Sequence, residues 1–329
     1  MKIGYPCINR SIGCTANHTF RLVSYSRERL EKTVAENLAC LGRILAFNRE
    51  HGILFFRITS DLVPFASHPV MDFPWQDRFR EEFRQIGRLI RESGIRISMH
   101  PDQFVLINAP DPGIVGRSIA ELRYHAQVLD LMELDTTAKV QVHVGGVYGD
   151  REGSIRRFVD NARELPETIL RRLIIENDDL RFSFADCLRI HRETGLPILL
   201  DTFHHELNNR GESLGLAVDL AGETWGKSDG TPMVDYSSQE EGKRRGTHAA
   251  TLDPRLFGRF LEDSRPHDMD IMLEIKDKER SALAALGIAL DDPRLVPVSE
   301  QSGGKGSFEP VLHLRSGRRS RGDKRRSSS

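Results

Sequence analysis

Six short apolar runs in this chain each end on a histidine or a carboxylate. Ser98-Met99 leads to His100, Val140 and Val142 to His143, and Ile174-Ile175 to Glu176. Leu199-Leu200 leads to Asp201, Met233-Val234 to Asp235, and Met272-Leu273 to Glu274. One polar residue at a strand end is ordinarily a satisfied rim residue. Six at the same place on neighbouring strands would converge, and four carboxylates with two imidazoles buried together require cations. Divalent metals provide them, and carboxylates bridge two metals well, so the pattern predicts a multinuclear cluster. His68, either His204 or His205, and His248 follow such runs in the intervening loops and extend the ligand set. Nitrogen and oxygen donors without a thiolate suit manganese, with zinc and iron as alternatives. All-oxygen magnesium or calcium sites would not use so many histidines. Two reactions use such clusters, phosphodiester hydrolysis and aldose–ketose isomerisation, and the ligand types do not choose between them.

The elements that must position these residues follow from periodicity. Apolar runs at 2–9, 53–60, 96–103, 139–146, 173–179, 197–203, 232–238 and 270–276 are too short for helices and read as buried strands. Between them lie helical patterns at 27–49, 79–93, 115–134, 154–170, 184–194, 214–225, 254–264 and 277–287. Ser26 suits the N-cap of the first, and Gly94 and Gly195 suit helix C-termini. Eight strand–helix units predict an α/β fold, a single closed (β/α)8 TIM barrel, whose active site lies at the carboxyl ends of the strands. An open doubly wound sheet would bring a glycine-rich phosphate loop, and neither GxGxxG nor GxxxxGKS occurs.

The 329 residues carry 47 basic and 48 acidic side chains, so net charge points to no partner. Hydrophobic residues at 39% suffice for a packed core. Cys7, Cys14, Cys40 and Cys187 form no CxxC pair, which argues against a zinc ribbon or a disulfide scaffold and for a reducing, cytoplasmic setting. No apolar run reaches membrane-spanning length. The barrel domain is expected over 1–290. Residues 291–329 read as a disordered basic extension, with Arg315, Arg318, Arg319, Arg321, Lys324, Arg325 and Arg326 against Asp323. A polyanion-binding arm and a solubilising tail fit that composition equally well.

Specific words in the sequence narrow the chemistry. GYPCIN (4–9), SMHPDQF (98–104), HVGGVYGD (143–150), LIIENDD (173–179), LLDTFHHELN (199–208) and MLEIKDKE (272–279) together resemble the UV damage endonuclease family. The resemblance runs from residue 2 to about 280, and HPDQ and LEIKDKE are its most specific parts. It implies a TIM barrel related to endonuclease IV and a cluster of two or three metal ions, usually manganese. It also implies a DNA repair activity that nicks the backbone immediately 5′ to pyrimidine dimers and 6-4 photoproducts, leaving a 3′-hydroxyl. Carried onto this sequence, it gives His68, His100, His143, Glu176, Asp201, His204, His248 and Glu274 as metal ligands, with Glu176, Glu274 and His204 closest to the chemistry. Gln103 matches a glutamine that enters the duplex, and Phe104 stands where the family has tyrosine, keeping the stacking face and losing the hydroxyl. Tyr5 and Asn9 match a lesion-pocket pair, and Lys276 is placed to meet phosphate.

The segment PMVDYSS departs from the family pattern. Met233 stands in place of a lysine, and Asp235 in place of a metal-binding histidine that aspartate can replace as a ligand. Methionine supplies no oxygen ligand. Damaged double-stranded DNA is the implied partner and a monomer the implied state, in the cytoplasm, or at the nucleoid in a bacterium. Two other readings accompany this one: a metal-dependent sugar isomerase of the related barrel superfamily, and a catalytically weak damage-binding protein. His204 rather than His205 is read as the ligand after strand six.

Overall fold

Every apolar run folds into a strand of four or five residues, and in the computed structural model, which describes residues 1–297, nearly all of their residues are buried. The strands are β1 (Ile3–Pro6), β2 (Phe55–Ile58), β3 (Arg96–Met99), β4 (Lys139–His143), β5 (Leu173–Glu176), β6 (Ile198–Asp201), β7 (Met233–Tyr236) and β8 (Asp270–Leu273). Each pairs in parallel with the next, and β1 returns to β8 through Ile3 opposite Ile271, so the sheet closes as a barrel of eight. This is the predicted (β/α)8 architecture. Burial of both strand faces explains why the runs are continuously apolar rather than alternating.

Helices cover the outside: α1 (Arg27–Glu50), α2 (Trp75–Arg78), α3 (Arg80–Ser93), α4 (Pro112–Leu131), α5 (Arg151–Arg163), α6 (Glu167–Leu170), α7 (Phe184–Thr194), α8 (Thr202–Leu207), α9 (Leu214–Glu223), α10 (Pro254–Asp263) and α11 (Glu279–Ile288). Ser26 caps α1 through its hydroxyl, and Gly94 closes α3 at φ 62°. The pattern read as one helix over 154–170 is two, because Pro166 interrupts the backbone ladder between α5 and α6. The helix read over 115–134 begins earlier, since Asp111 accepts from Gly113 N–H and Pro112 fills the first turn.

Period-two alternation sorts the barrel interior into layers. Phe55, Ile174, Leu199, Met233 and Met272 form an apolar cluster of their own. Two residues further along the same five strands stand Arg57, Glu176, Asp201, Asp235 and Glu274. Below the apolar layer, Arg96 pairs with Asp270 at 2.8 Å, and Lys139 is bonded to Asp229.

Two features depart from the sequence reading. Cys14 and Cys40 form a disulfide across 26 residues, with their Cα atoms 6.0 Å apart, which corrects the reading of four reduced thiols. The loop after β1 folds back along α1, where Asn37 exchanges bonds with the backbone of His18 and Arg43 donates to Ile12 O. No motif in the spacing marks that contact. In the chain-entropy picture, reduction or Cys14→Ser should cost about 3 kcal/mol; denaturant midpoints with and without reductant test this.

The second concerns the boundary placed at 290. Arg294 donates to Leu261 O, His267 O and Ser264 Oγ, and Val296 N–H bonds to Met1 O, so the chain past α11 packs on the lower end of the barrel. The basic cluster 315–326 lies outside the described residues. Arg294 also holds the Asp292 carboxyl down at about 2. Its folded value is depressed, so the stabilisation is complete above the ordinary range near about 4 and is lost as pH falls through about 2. Asp292→Asn should therefore lower the thermal midpoint at pH 7 and have little effect at pH 2. Equal losses at both values would show that the pairing carries none of the effect.

Among the described residues no helix is long and apolar enough to cross a membrane.

Candidate metal centre

The upper interior layer gathers the predicted ligands. β5 delivers Glu176, buried at 1% exposure, and three histidines surround it. His100 Nε2 lies 3.3 Å from one carboxylate oxygen, and His143 Nε2 lies 3.9 Å from the other. His204 Nδ1 comes within 3.6 Å of Glu176 and 3.3 Å of Asp201. The placement of His204 is a consequence of helix capping. Asp201 ends β6 and accepts the His204 N–H at 2.8 Å as N-cap of α8, which sets the imidazole one turn above its own carboxylate. That short helix occupies what reads in the sequence as loop.

Second contacts fix the rings. His100 Nδ1 donates to Pro101 O at 2.9 Å, and His248 Nδ1 donates to Glu274 O at 3.0 Å, which leaves each Nε2 free to ligate. The His248 ring sits edge-on to Phe203 and His204 at 5.3 and 5.9 Å. Asn177 ties β5 to β6, donating to Asp201 O and accepting from Asp201 N–H, both at 3.0 Å.

Donor atoms in three groups lie mutually within 4.8 Å: His100, His143 and Glu176; Glu176, Asp201 and His204; and Asp201, Asp235 and Glu274. Glu176 and Asp201 are each shared by two groups. His143 Nδ1 and Asp201 Oδ2 are buried without a hydrogen-bond partner. Such orphaned donors and acceptors are costly in a protein interior, and together with the mixed nitrogen and oxygen set they fit divalent ions.

The charges are strongly coupled. Burial pushes Asp201 up to about 6 against the pull of His204. Burial disfavours the His204 cation, yet Asp201, Glu176 and Glu274 outweigh it and hold that imidazole at about 11. Burial also opposes ionisation of Glu176, but the three histidines hold it well below the usual carboxylate range. Glu274 sits at about 2 because Arg57 overcomes its burial.

Sequence reasoning missed Arg57 and Gln141. Arg57, only 2% exposed, donates to both Asp235 oxygens at 2.6 and 2.7 Å and also bonds Glu274. Gln141 bridges Glu176 and Asp235, donating to each at 2.8 Å. The available signal was a single cation or amide inside an otherwise apolar strand. Burial drives the Asp235 carboxyl upward while Arg57 pulls it down. Both its oxygens receive only donors, which is the environment of a carboxylate, since a protonated acid would need an acceptor.

Other predicted residues fall elsewhere. His68 lies exposed on the loop after β2, its Nδ1 accepting from Val70 N–H, and it joins none of the three groups. Its loop position carries no periodicity that could fix where the ring points. Tyr5 and Asn9 are both buried. β1 turns Gly4 inward and Tyr5 outward toward α1, where its buried hydroxyl donates to Asn48 and accepts from Asn9. The hydroxyl thus links Asn9 to α1. His205 is buried behind α8 against Phe184.

The rim itself is open. A cavity of about 280 Å³ is lined by His100, His143 and His204 on its floor and by Gln103 and Leu180 at its sides. Phe104 is 75% exposed and Leu180 76%. Asp178 holds the Leu180 loop in place, accepting backbone N–H groups from Leu180, Arg181 and Phe182. Lys276 is exposed just beyond β8. Met233 lies in the apolar layer beneath the carboxylates and supplies no ligand atom.

Comparison with known proteins places the chain among relatives. Endonuclease IV from Thermus thermophilus superposes with a TM-score of 0.52 at 19% identity, covering 76% of this chain and 93% of that one, a likeness of fold alone. The crystal structure of SacUVDE superposes with a TM-score of 0.84 at 46% identity, covering 88% of this chain and 98% of that one. The UV DNA damage endonuclease of Bacillus cereus (strain Q1) is 35% identical over 293 residues, covering 86% of this chain and 92% of its relative. The sequence profile of UV-endonuclease UvdE matches residues 1–299. The chain belongs to the UV-endonuclease UvdE family.

Proposed function

We propose that this protein nicks UV-damaged duplex DNA immediately 5′ to cyclobutane pyrimidine dimers and 6-4 photoproducts, leaving a 3′-hydroxyl. The observation that carries this reading is Glu176, shared by two donor groups on the floor of an open mouth whose rim bears an exposed aromatic ring. His100, His143, Glu176, Asp201 and His204 would hold the metals, most suitably manganese, with His248 and Glu274 beside them. Bound divalent ions supply Lewis-acid charge and an ionised water at neutral pH, the chemistry that phosphodiester hydrolysis uses.

The chain's own residues do the rest. Phe104 enters a stack already weakened by damage, and Gln103 takes the place of the displaced pair. A dimer or photoproduct lowers the cost of unstacking, which gives selectivity without base-edge readout. The Asp178 turn keeps the opposite wall rigid, and Lys276 meets phosphate at the rim. Asn177 and Gln141 hold the Asp201 backbone and the Glu176 carboxylate in place, so little reorganisation accompanies the reaction.

The test is incubation of the full chain with manganese and either irradiated or intact duplex. Selective nicking of the irradiated strand is expected; equal nicking of both duplexes would overturn the reading. Phe104→Ala should weaken binding to irradiated duplex by about 1–3 kcal/mol, the usual value of one base–aromatic stack. A gel shift on irradiated and intact duplex measures it, and the loss should be confined to the irradiated one. A sugar isomerase would instead interconvert aldose and ketose and show no DNA affinity.

A further inference from the structure

We infer that Arg57 serves as a built-in third cation, so that the two donor groups sharing Glu176 would hold two metal ions and the Asp235–Glu274 corner takes none. The inference deepens the nuclease reading by assigning the ion count of the same site.

The donors divide unequally. His100, His143, Glu176, Asp201 and His204 form two overlapping groups that share Glu176 and contain the orphaned His143 Nδ1 and Asp201 Oδ2. Those atoms await a partner. The third group does not, because its partner is already present. One guanidinium nitrogen of Arg57 spans both Asp235 oxygens at 2.6 and 2.7 Å, and another bonds Glu274. Gln141 adds a further donor to Asp235 at 2.8 Å. Both Asp235 oxygens thus already face N–H donors, Oδ2 two of them.

Charge points the same way. With His204 neutral, as a metal ligand must be, Glu176, Asp201, Asp235 and Glu274 together with Arg57 leave three negative charges. Two divalent ions offset these with one charge over. A third ion would have to sit against a guanidinium that is itself nearly inaccessible to water, where repulsion is poorly screened. An arginine stays protonated under all ordinary conditions, so this cation cannot be titrated away to make room. Nor can it readily leave: Arg57 lies mid-strand in β2, paired on both sides by β1 and β3. Asp235 is then a counter-ion that positions Arg57, and through it Glu274, rather than a ligand.

The experiment counts ions. The full chain, stripped with chelator, saturated with manganese and desalted, is analysed by plasma mass spectrometry and by electron paramagnetic resonance. Two ions per chain with an exchange-coupled spectrum are expected. Asp235→Asn should retain two, because no ligand is lost. Arg57→Met should take up a third. A count of one or three in the native chain, or loss of one ion in Asp235→Asn, overturns the inference. The native count decides the matter even where a variant fails to fold. Two ions without nicking of irradiated DNA would remove the nuclease reading and leave this one standing. Selective nicking with three ions would do the reverse.

Discussion

Glu176→Ala should abolish selective nicking, lowering the rate on irradiated duplex by at least about 10³-fold, beyond the loss usual for a single preorganised donor. The expectation follows from position more than from chemistry. Glu176 is the one side chain with a donor atom in both histidine-containing groups, and His100, His143 and His204 all converge on it. Removing it deprives both ion positions of a ligand and leaves three buried imidazoles without their counter-charge. Metal content should fall with activity, which plasma mass spectrometry reads directly. Glu176→Gln keeps the size of the side chain and, through its amide oxygen, can still accept from Gln141 Nε2 while losing the negative charge. It should therefore restore the thermal midpoint without restoring nicking. A variant that keeps full metal content and more than a tenth of the native rate would show that the centre lies elsewhere.

The second large effect concerns the fold. Gly4→Ala should destabilise the barrel by about 3 kcal/mol or more, the upper range for forced overpacking. A Cβ at Gly4 would lie 1.7 Å from the Phe55 carbonyl oxygen, and neither atom belongs to a side chain that could swing away. β1 and β2 would have to separate where Gly4 stands opposite Phe55 and Pro6 opposite Arg57. The strain therefore falls on the strand that carries Arg57, and metal content should drop along with the thermal midpoint. A loss below about 1 kcal/mol would show that the strand pair can relax more freely than a closed barrel permits.

Glu176 is legible in the amino-acid sequence because strand ends share a height in a parallel barrel, so residue type at one position in successive strands is spatial information. The same logic locates His100, His143, Asp201 and Glu274. It fails for Arg57, because a single arginine inside FFRIT looks like an interruption of the strand rather than part of its inner face. Parity would have revealed it, since Phe55 and Arg57 share a face just as Ile174 and Glu176 do. Parity would also have turned Tyr5 outward, as the neighbour of an inward Gly4. Residues in loops lack both rules. His68 carries no positional information in the sequence, and nothing in a 26-residue separation announces that Cys14 meets Cys40. His204 has a fixed place only because Asp201 caps the helix that carries it, which converts a loop residue into one with set geometry.

The apolar ring of Phe55, Ile174, Leu199, Met233 and Met272 makes the barrel a blind vessel. It separates the carboxylates from the lower end, where Arg96 and Asp270 pair and Lys139 is bonded to Asp229. On the other side, the cavity flanked by Gln103 and Leu180 opens onto His100, His143 and His204. A duplex seated on that opening would act as a stopper, so that bound substrate slows the escape of metal and chelators work only between turnovers.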